Sequence, residues 1–484
     1  MMNHTLLQYF EWYLPEDAGH WKRLIQESLT LAQIGYDRIW LPPAYKGQGG
    51  LNDVGYGVYD MYDLGEFDQK GTIPTKYGTK DEYLKAIQTA HENHLEIIAD
   101  IVFNHRMGAD GKETIKAKEI SWADRDEAIS DEEEVEVWTR FTFPGRKGKY
   151  SDFTWDWSCF TGTDYDARTK KTKLLEFYHK KWAENVSQEN GNFDYIMGDD
   201  VDFSNPRVVE ELYRWGIWYR DLTGIDGYRL DAVKSIDAGF FPGWLNAMRQ
   251  ESQDNLFAVG EYWSGNIEEL KAYLVKVSYS MLLFDVPLHF HLYDASRSYD
   301  RYDMSKILDG TLTKEEPQSA VAFVDNHDTQ PGQALQSWVE DWFKVHAYAL
   351  ILLRDCVCPC VFYGDHAGIP KNGKTKVPFL NEMVWIRKHL LEPDMIEDRF
   401  DDPHCVGWSV QGKHPVVVVM TNGWAGSKEF TLEESQCEMM VDITDSSRVV
   451  YLDKGLGKFL CQDGKCSIYI NEEDYKWMKE DLEI

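Results

Sequence analysis

The chain has 484 residues, 43% of them hydrophobic and 27% charged, with 51 Lys and Arg against 82 Asp and Glu for a net charge of −31. That length exceeds one core of about 150 residues and predicts roughly three units, which excludes a lone binding module, while the apolar share excludes a disordered or fibrous chain. So acidic a surface repels a polyanion, and nucleic acid is not an expected partner.

No stretch of 18 apolar residues occurs, because the most apolar segment, residues 347–363, carries Arg354 and Asp355; no membrane span is expected. The opening Met-Met-Asn-His-Thr-Leu-Leu-Gln-Tyr-Phe-Glu-Trp has no basic segment ahead of an apolar one, so no secretory signal is read there and the cytosol is the expected address.

Short apolar runs alternate with longer amphipathic ones. Residues 6–10 read as a first strand with a helix over 21–34, residues 38–41 as a second with a helix over 83–94, and residues 97–102 as a third. About a hundred residues then precede the fourth run at 228–230, itself preceded by a helix over 208–222. No ordinary loop is that long, so an inserted domain is expected; its acidic stretch, 131–134, reads as a solvated face. Runs at 256–259, 281–284, 322–324 and, after a helix over 338–354, 360–363 bring the strands to eight. Beyond about residue 393 the pattern turns to short β-rich runs, 416–420 and 448–452, with turn signals at Asn422-Gly423 and Asp463-Gly464. The expected class is α/β: a (β/α)8 TIM barrel over 1–103 and 206–393, an inserted domain over 104–205 after the third strand, and a C-terminal antiparallel β-sandwich over 394–484. The eight cysteines are thinly spread and read as reduced thiols; Cys356-x-Cys358-x-Cys360 lacks the C-x2-C spacing of a zinc site and reads as buried side chains.

In such a barrel the reacting groups sit where strands end. Four segments qualify: Asp100-Ile-Val-Phe-Asn104-His105, Gly227-Tyr-Arg229-Leu-Asp231-Ala-Val-Lys234, Val259-Gly-Glu261-Tyr-Trp263 and Phe323-Val-Asp325-Asn-His327-Asp328. Carboxylates at three strand ends, Asp231, Glu261 and Asp328, can converge over one mouth, where their repulsion needs a chemical reason. Retaining glycoside hydrolysis supplies one: an ionised nucleophile and a protonated acid about 5 Å apart. Arg229 and Asp231, two apart on a strand, project to one side, so the guanidinium is expected to keep Asp231 ionised as nucleophile. Glu261, followed by the bulky Tyr262 and Trp263, is the expected acid/base, and Asp328 is left to hold substrate hydroxyls.

These four segments, in this order along nearly the whole chain, resemble the four short regions of the α-amylase family, glycoside hydrolase family 13. Gln8-Tyr-Phe-Glu-Trp12, Trp40-Leu-Pro-Pro-Ala-Tyr-Lys46, Asp53-Val-Gly-Tyr56-Gly and Asp325-Asn-His-Asp-Thr-Gln-Pro331 further resemble the bacterial liquefying members and their cytoplasmic relatives. The resemblance implies internal cleavage of α-1,4-glucan, starch, glycogen or maltodextrin, with Asp231 as nucleophile, Glu261 as acid/base and Asp328 as transition-state stabiliser. It implies sugar contacts for His105 and His327, a stacking platform in Tyr56, a partner of the nucleophile in Arg229 and leaving-side contacts for Lys234 and Trp263. A neutral glucan gains no steering from the charge, so binding should vary little with salt.

The resemblance also implies one structural calcium ion pinning the insert to the barrel through Asn104, Asp194, Asp200 and the backbone carbonyl of Ser235, a hard-oxygen set. Lys234-Ser235 departs from the family's Lys-His pair. Further metal positions of secreted relatives correspond to Thr161, Ala183 and Ser204, with Asp202 left over, so additional ions are not expected; Asp199 and Asp202 read as turn or cap residues. The expectation is a monomeric cytoplasmic endo-amylase. Open beside it stand a transglycosylase on the same chemistry, a catalytically silent carbohydrate-binding member, and a hydrolase with a catalytic metal on His105, His327 and Asp328.

Overall fold

A computed structural model describes residues 4–250, 256–354, 356–392, 395–432 and 437–483. The opening residues 1–3, Asp355 and the expected boundary at 393/394 lie outside the described residues. Eight strands form one parallel sheet: Leu6–Gln8 (β1), Arg38–Leu41 (β2), Glu96–Ile101 (β3), Gly227–Leu230 (β4), Phe257–Gly260 (β5), Leu282–Phe284 (β6), Ala320–Val321 (β7) and Cys360–Phe362 (β8). Each pairs with its neighbours in chain order, β8 returns to β1 in register Leu6 to Cys360, and a parallel bridge from Phe323 to Cys360 closes the ring. The strands are apolar throughout because one side fills the barrel and the other meets helices. Helices such as His20–Ile34, Lys80–Glu92, Pro206–Thr223 and Leu380–His389 cover the outside. Lys80–Glu92 starts on a capping box of Thr79 and Glu82, and Pro206–Thr223 has Pro at its start and left-handed Gly224 at its end.

Two expectations shift. The seventh strand lies at Ala320–Val321, two residues ahead of 322–324, which continue as extended chain with the Ala322 carbonyl accepting from Cys360 N. The helix expected over 338–354 is shorter, a 3-10 turn at Asp341–Phe343 and an α-helix at Lys344–Leu352. Backbone amides ahead of it are already taken: Val339 N donates to Asp325 Oδ2 and Glu340 N to Ser296 Oγ, both at 3.1 Å. Tertiary partners outcompete helix propensity there.

Between β3 and the helix Pro206–Thr223 lies a six-stranded antiparallel sheet, from His105–Arg106 through Asp199–Val201, Phe160–Asp166, Lys171–Phe177 and Gly111–Glu119 to Glu133–Arg140. The 131–134 stretch is exposed. At the C-terminal end a six-stranded and a two-stranded antiparallel sheet face each other. Their contact explains the unbroken apolar run Val416–Thr421: Val417 and Val419 pack with Phe430, Phe459 and Tyr469 between the sheets, while Val416, Val418 and Met420 join the barrel core. The helix Glu472–Asp481 closes the chain. All eight cysteines are free thiols, with Cys356, Cys358 and Cys360 buried. Among the described residues no helix is long and apolar enough to cross a membrane.

Candidate active site

Register puts the charged groups together. On β4, Arg229 pairs directly with Asp100 on β3 and with Val259 on β5. The chain then turns at Ala232, held left-handed at φ 47° and ψ 41°, a strain that a non-glycine residue accepts only where surroundings impose it. The turn leaves Asp231 N on the Ile101 carbonyl and aims Ala232 N at Glu261 Oε2, 3.2 Å away. Glu261 follows Gly260, where a Cβ would come within 2.6 Å of the Met281 sulfur, so a larger residue there would have to displace the Met281 side chain.

Arg229 organises the carboxylates. Its Nη1 donates to Asp100 Oδ1 at 2.9 Å and to Asp231 Oδ1 at 2.7 Å, and its Nη2 reaches Glu261 Oε2 at 2.8 Å. Two oxygens bonded to one rigid guanidinium fork lie within about 8 Å of each other, so a single hexose can touch both acids. Arg229 is buried, with Trp40 and Tyr56 rings at 5.1 and 5.9 Å. Asp100 is saturated, its Oδ2 accepting from Trp40 Nε1 and Tyr56 OH, whereas Asp231 and Glu261 each have one carboxylate oxygen bonded to the fork.

One guanidinium against Asp100, Asp231, Glu261 and the nearby Asp328 leaves excess negative charge in a dry mouth. Burial raises Asp231 to about 6 despite the guanidinium, with Asp100 and Asp328 adding to the rise. Arg229 lowers Asp231, as the spacing suggests, and burial adds an opposing contribution that the sequence does not display. Burial likewise raises Glu261 to about 7, with Arg229 opposing and the charges of Asp231 and Asp328 reinforcing. Asp328, the most exposed of the three at 26% of its side chain, sits near 6, raised by burial and lowered by Arg229. Burial thus lifts all three carboxyls above the usual carboxylate range, so the group retains a proton toward neutral pH.

The opposite wall is aromatic. Tyr56 and His327 rings are parallel at 5.0 Å, and Trp12 lies parallel to both at 6.2 and 6.1 Å. His327 Nε2 approaches Asp328 Oδ2 at 3.3 Å, and burial holds the ring neutral, its pKa near 3. His105 is neutral too, near 4 through burial, with Nε2 on the Tyr56 carbonyl at 2.7 Å. Beyond Glu261 a cleft is lined by Ser187, Glu189, Lys234, Tyr262 and Trp263. Lys234 Nζ donates to the Trp263 carbonyl at 2.9 Å and pairs with Glu189 at 2.7 Å.

Asn104, Asp194, Asp200 and Ser235 come together where the inserted sheet meets the barrel. Asn104 Nδ2 lies 3.1 Å from the Asp194 carbonyl and 3.0 Å from the Ser235 carbonyl. With the His105 proton on Nε2, its Nδ1 is an acceptor facing Asn104 Oδ1 at 3.3 Å. Exchanging the amide atoms satisfies Nδ1 and directs a third oxygen at the two carbonyls, a set that suits a hard cation. Asp200 Oδ2 is buried without a partner among the described residues, and burial and mutual repulsion raise Asp200 well above the carboxylate range, with Asp194 near 7 mainly through burial. These residues fit calcium. Among the described residues no cluster of three or more His, Cys, Asp or Glu is arranged for a metal; this set instead draws on an amide and the main chain. Asp202 caps a turn through Ser204 N at 2.9 Å and pairs with Lys180. Asp199 is no cap: it is a buried strand residue, raised by burial.

Reading strand ends alone left Asp100, Trp12, Gln8 and Glu189 without roles. Asp100 and Gln8 were detectable, since each lies at the end of its strand as Asp231 does; Glu189 reaches the site from a loop with no local signal.

The family model for the α-amylase catalytic domain matches residues 8–403. The sequence is 44% identical to an α-amylase of Geobacillus stearothermophilus over 97% of this chain and 87% of the relative. It is 41% identical to the cytoplasmic α-amylase of Escherichia coli K12 over 98% of this chain and all of that one. An α-amylase of Geobacillus thermoleovorans solved with acarbose shares the fold, with TM-score 0.64, 17% identity, and coverage of 97% of this chain and 98% of that one. The matched span runs from the end of the first barrel strand into the C-terminal sheets and includes every strand-end carboxylate, and the chain belongs to the α-amylase family of glycoside hydrolases.

Proposed function

We propose that the enzyme cuts α-1,4-glucosidic bonds inside starch, glycogen or maltodextrin chains with retention, through a covalent glycosyl-enzyme on Asp231. The observation that carries this is the Arg229 fork, which bonds one oxygen of Asp231 and one of Glu261. Glu261 donates its proton to the glycosidic oxygen as the C1–O bond breaks, and the unbonded oxygen of Asp231 forms a bond to C1. Glu261, now ionised, takes a proton from water, whose oxygen attacks C1 and frees Asp231. Asp328 and His327 hold hydroxyls of the sugar that reacts, Tyr56 and Trp12 stack against it, His105 lines the same wall, and Lys234 and Trp263 contact the leaving side. Asp100 keeps Arg229 in place.

One calcium ion on Asn104, Asp194, Asp200 and the Ser235 carbonyl is proposed to supply fixed positive charge at the junction and no chemistry. The same reading assigns 1–103 and 206–393 to the barrel, 104–205 to the insert and 394–484 to the C-terminal unit. The chain is read as a monomer, and the cytoplasmic assignment rests on the likeness to the E. coli relative. The test is digestion of soluble amylose followed by viscosity, reducing ends and the NMR anomer of fresh product. An initial α-anomer with fast viscosity loss is expected; an initial β-anomer removes retention, and slow viscosity loss per reducing end removes internal cleavage.

A further inference from the structure

Gln8 ends β1 and is fully buried on the barrel floor, 319 residues from its partner: its amide Nε2 lies 3.0 Å from Nδ1 of His327. Its Oε1, also buried, has no hydrogen-bond partner among the described residues, an unmet acceptor that a leucine of similar size would avoid. The other ring nitrogen of His327, Nε2, faces Asp328 Oδ2 at 3.3 Å. An amide NH2 only donates, so Nδ1 accepts and the single ring proton sits on Nε2, aimed at the carboxylate. With the amide reversed, its carbonyl would require the proton on Nδ1 and would set the bare Nε2 against the Asp328 carboxylate, two acceptors in contact in a dry site. A doubly protonated ring is disfavoured by burial and by the Arg229 guanidinium, with Glu261 opposing.

We propose that Gln8 is a positioning residue: its amide donates to Nδ1 of His327 and thereby fixes the tautomer whose Nε2 proton is shared between Asp328 and a hydroxyl of the sugar being cut. The proposal rests on the reading of His327 and Asp328 as substrate-facing, but the tautomer is read in ligand-free protein, so its failure is separable from a failure of that reading.

The experiment labels histidine ring nitrogens with 15N and identifies His327 by its loss in His327→Gln. The wild type is expected to show the neutral Nε2–H pattern at pH 7; an Nδ1–H pattern overturns the proposal. Gln8→Leu is expected to mix the tautomers and lower kcat about tenfold with KM changed less than about twofold. A folded Gln8→Leu enzyme that keeps pure Nε2–H and full kcat also overturns it. Should Gln8→Leu not fold, the near-isosteric Gln8→Glu decides, because a carboxylate on Nδ1 recruits a second proton among the facing groups Asp328, Glu261 and Arg229. The His327 titration then moves up toward neutral pH, and an unchanged neutral pattern in Gln8→Glu counts as refutation.

Discussion

Two groups of buried carboxylates serve this barrel, and they differ in their cation. Around Arg229, Asp100, Asp231 and Glu261 are each bonded to the same guanidinium, so the cluster is held together by the protein itself. At the junction, Asp194 and Asp200 face each other, and among the described residues no Lys or Arg side chain pairs with either; Lys180 is committed to Asp202 and the Ser158 carbonyl. The first group is built to retain excess charge and share a proton, which is what acid/base chemistry needs. The second lacks only positive charge, which is what a bound ion brings. Substitutions in the two should therefore fail in opposite ways.

The largest contrast is between Asp231→Asn and Asp200→Asn. The first should lower kcat by about four orders of magnitude or more while leaving Tm nearly unchanged, because it removes the proposed nucleophile and keeps the shape. The second should leave kcat at 20 °C within about threefold and lower Tm, because it removes an oxygen of the proposed ion site at the junction, outside the proposed catalytic trio. Melting curves and initial rates on both variants check this, and a stable but inactive Asp200→Asn would erase the distinction.

Chelation sharpens it. An ion bound at a thousandfold excess over its Kd stabilises by about 4 kcal/mol, so EGTA should lower Tm by on the order of 10 °C, with activity lost in step with unfolding. Metal analysis should find one tightly held ion per chain. Two or more ions, or activity lost from a fold that keeps its Tm, would move the metal from scaffold to chemistry.

The contrast also bears on what a sequence can tell. The strand-end carboxylates and the Arg229–Asp231 pair were legible because β geometry places residues two apart on one side, and the eight runs because barrel strands are apolar on both faces. Val416–Thr421 was legible as a strand, but its double burial was not. The guanidinium beside Asp231 is visible in the sequence, but the desolvation that opposes it is not, because burial depends on the whole mouth. The helix over 338–354 was overextended because the groups that take its first amides, Asp325 and Ser296, lie elsewhere in the chain. Gln8 under His327 is the same case at the scale of the whole barrel.

A smaller effect is the pH profile. Asp231, near 6, must be ionised and Glu261, near 7, protonated, so kcat/KM should rise through pH 6 and fall above pH 7. Asp328 raises both groups, and Asp328→Asn should move both limbs of its residual activity to lower pH. Both carboxyls bind protons more tightly folded than unfolded, so their contribution to stability is lost as pH climbs from the ordinary carboxylate range through these values. Glu261→Gln should accordingly gain Tm at pH 8 and almost none at pH 4. An alkaline limb beyond about pH 9 would place the acid elsewhere.

The smallest effect is a predicted absence. With a net charge of −31, long-range fields around the enzyme are strong, and at 0.1 M salt they are screened beyond about 10 Å. A charged substrate would feel that screening in its association rate, but a glucan is neutral, and the excess negative charge at the mouth sits against Arg229 at contact distance, inside the range that salt reaches. From 20 to 200 mM NaCl at fixed calcium, kcat/KM on maltooligosaccharides should stay within about twofold. Apparent ion affinity at the junction should weaken over the same range, because there the attraction is between an outside cation and uncompensated carboxylates. A kcat/KM that falls steeply with salt would mean that charge, and not stacking on Tyr56 and Trp12, brings the sugar to the mouth.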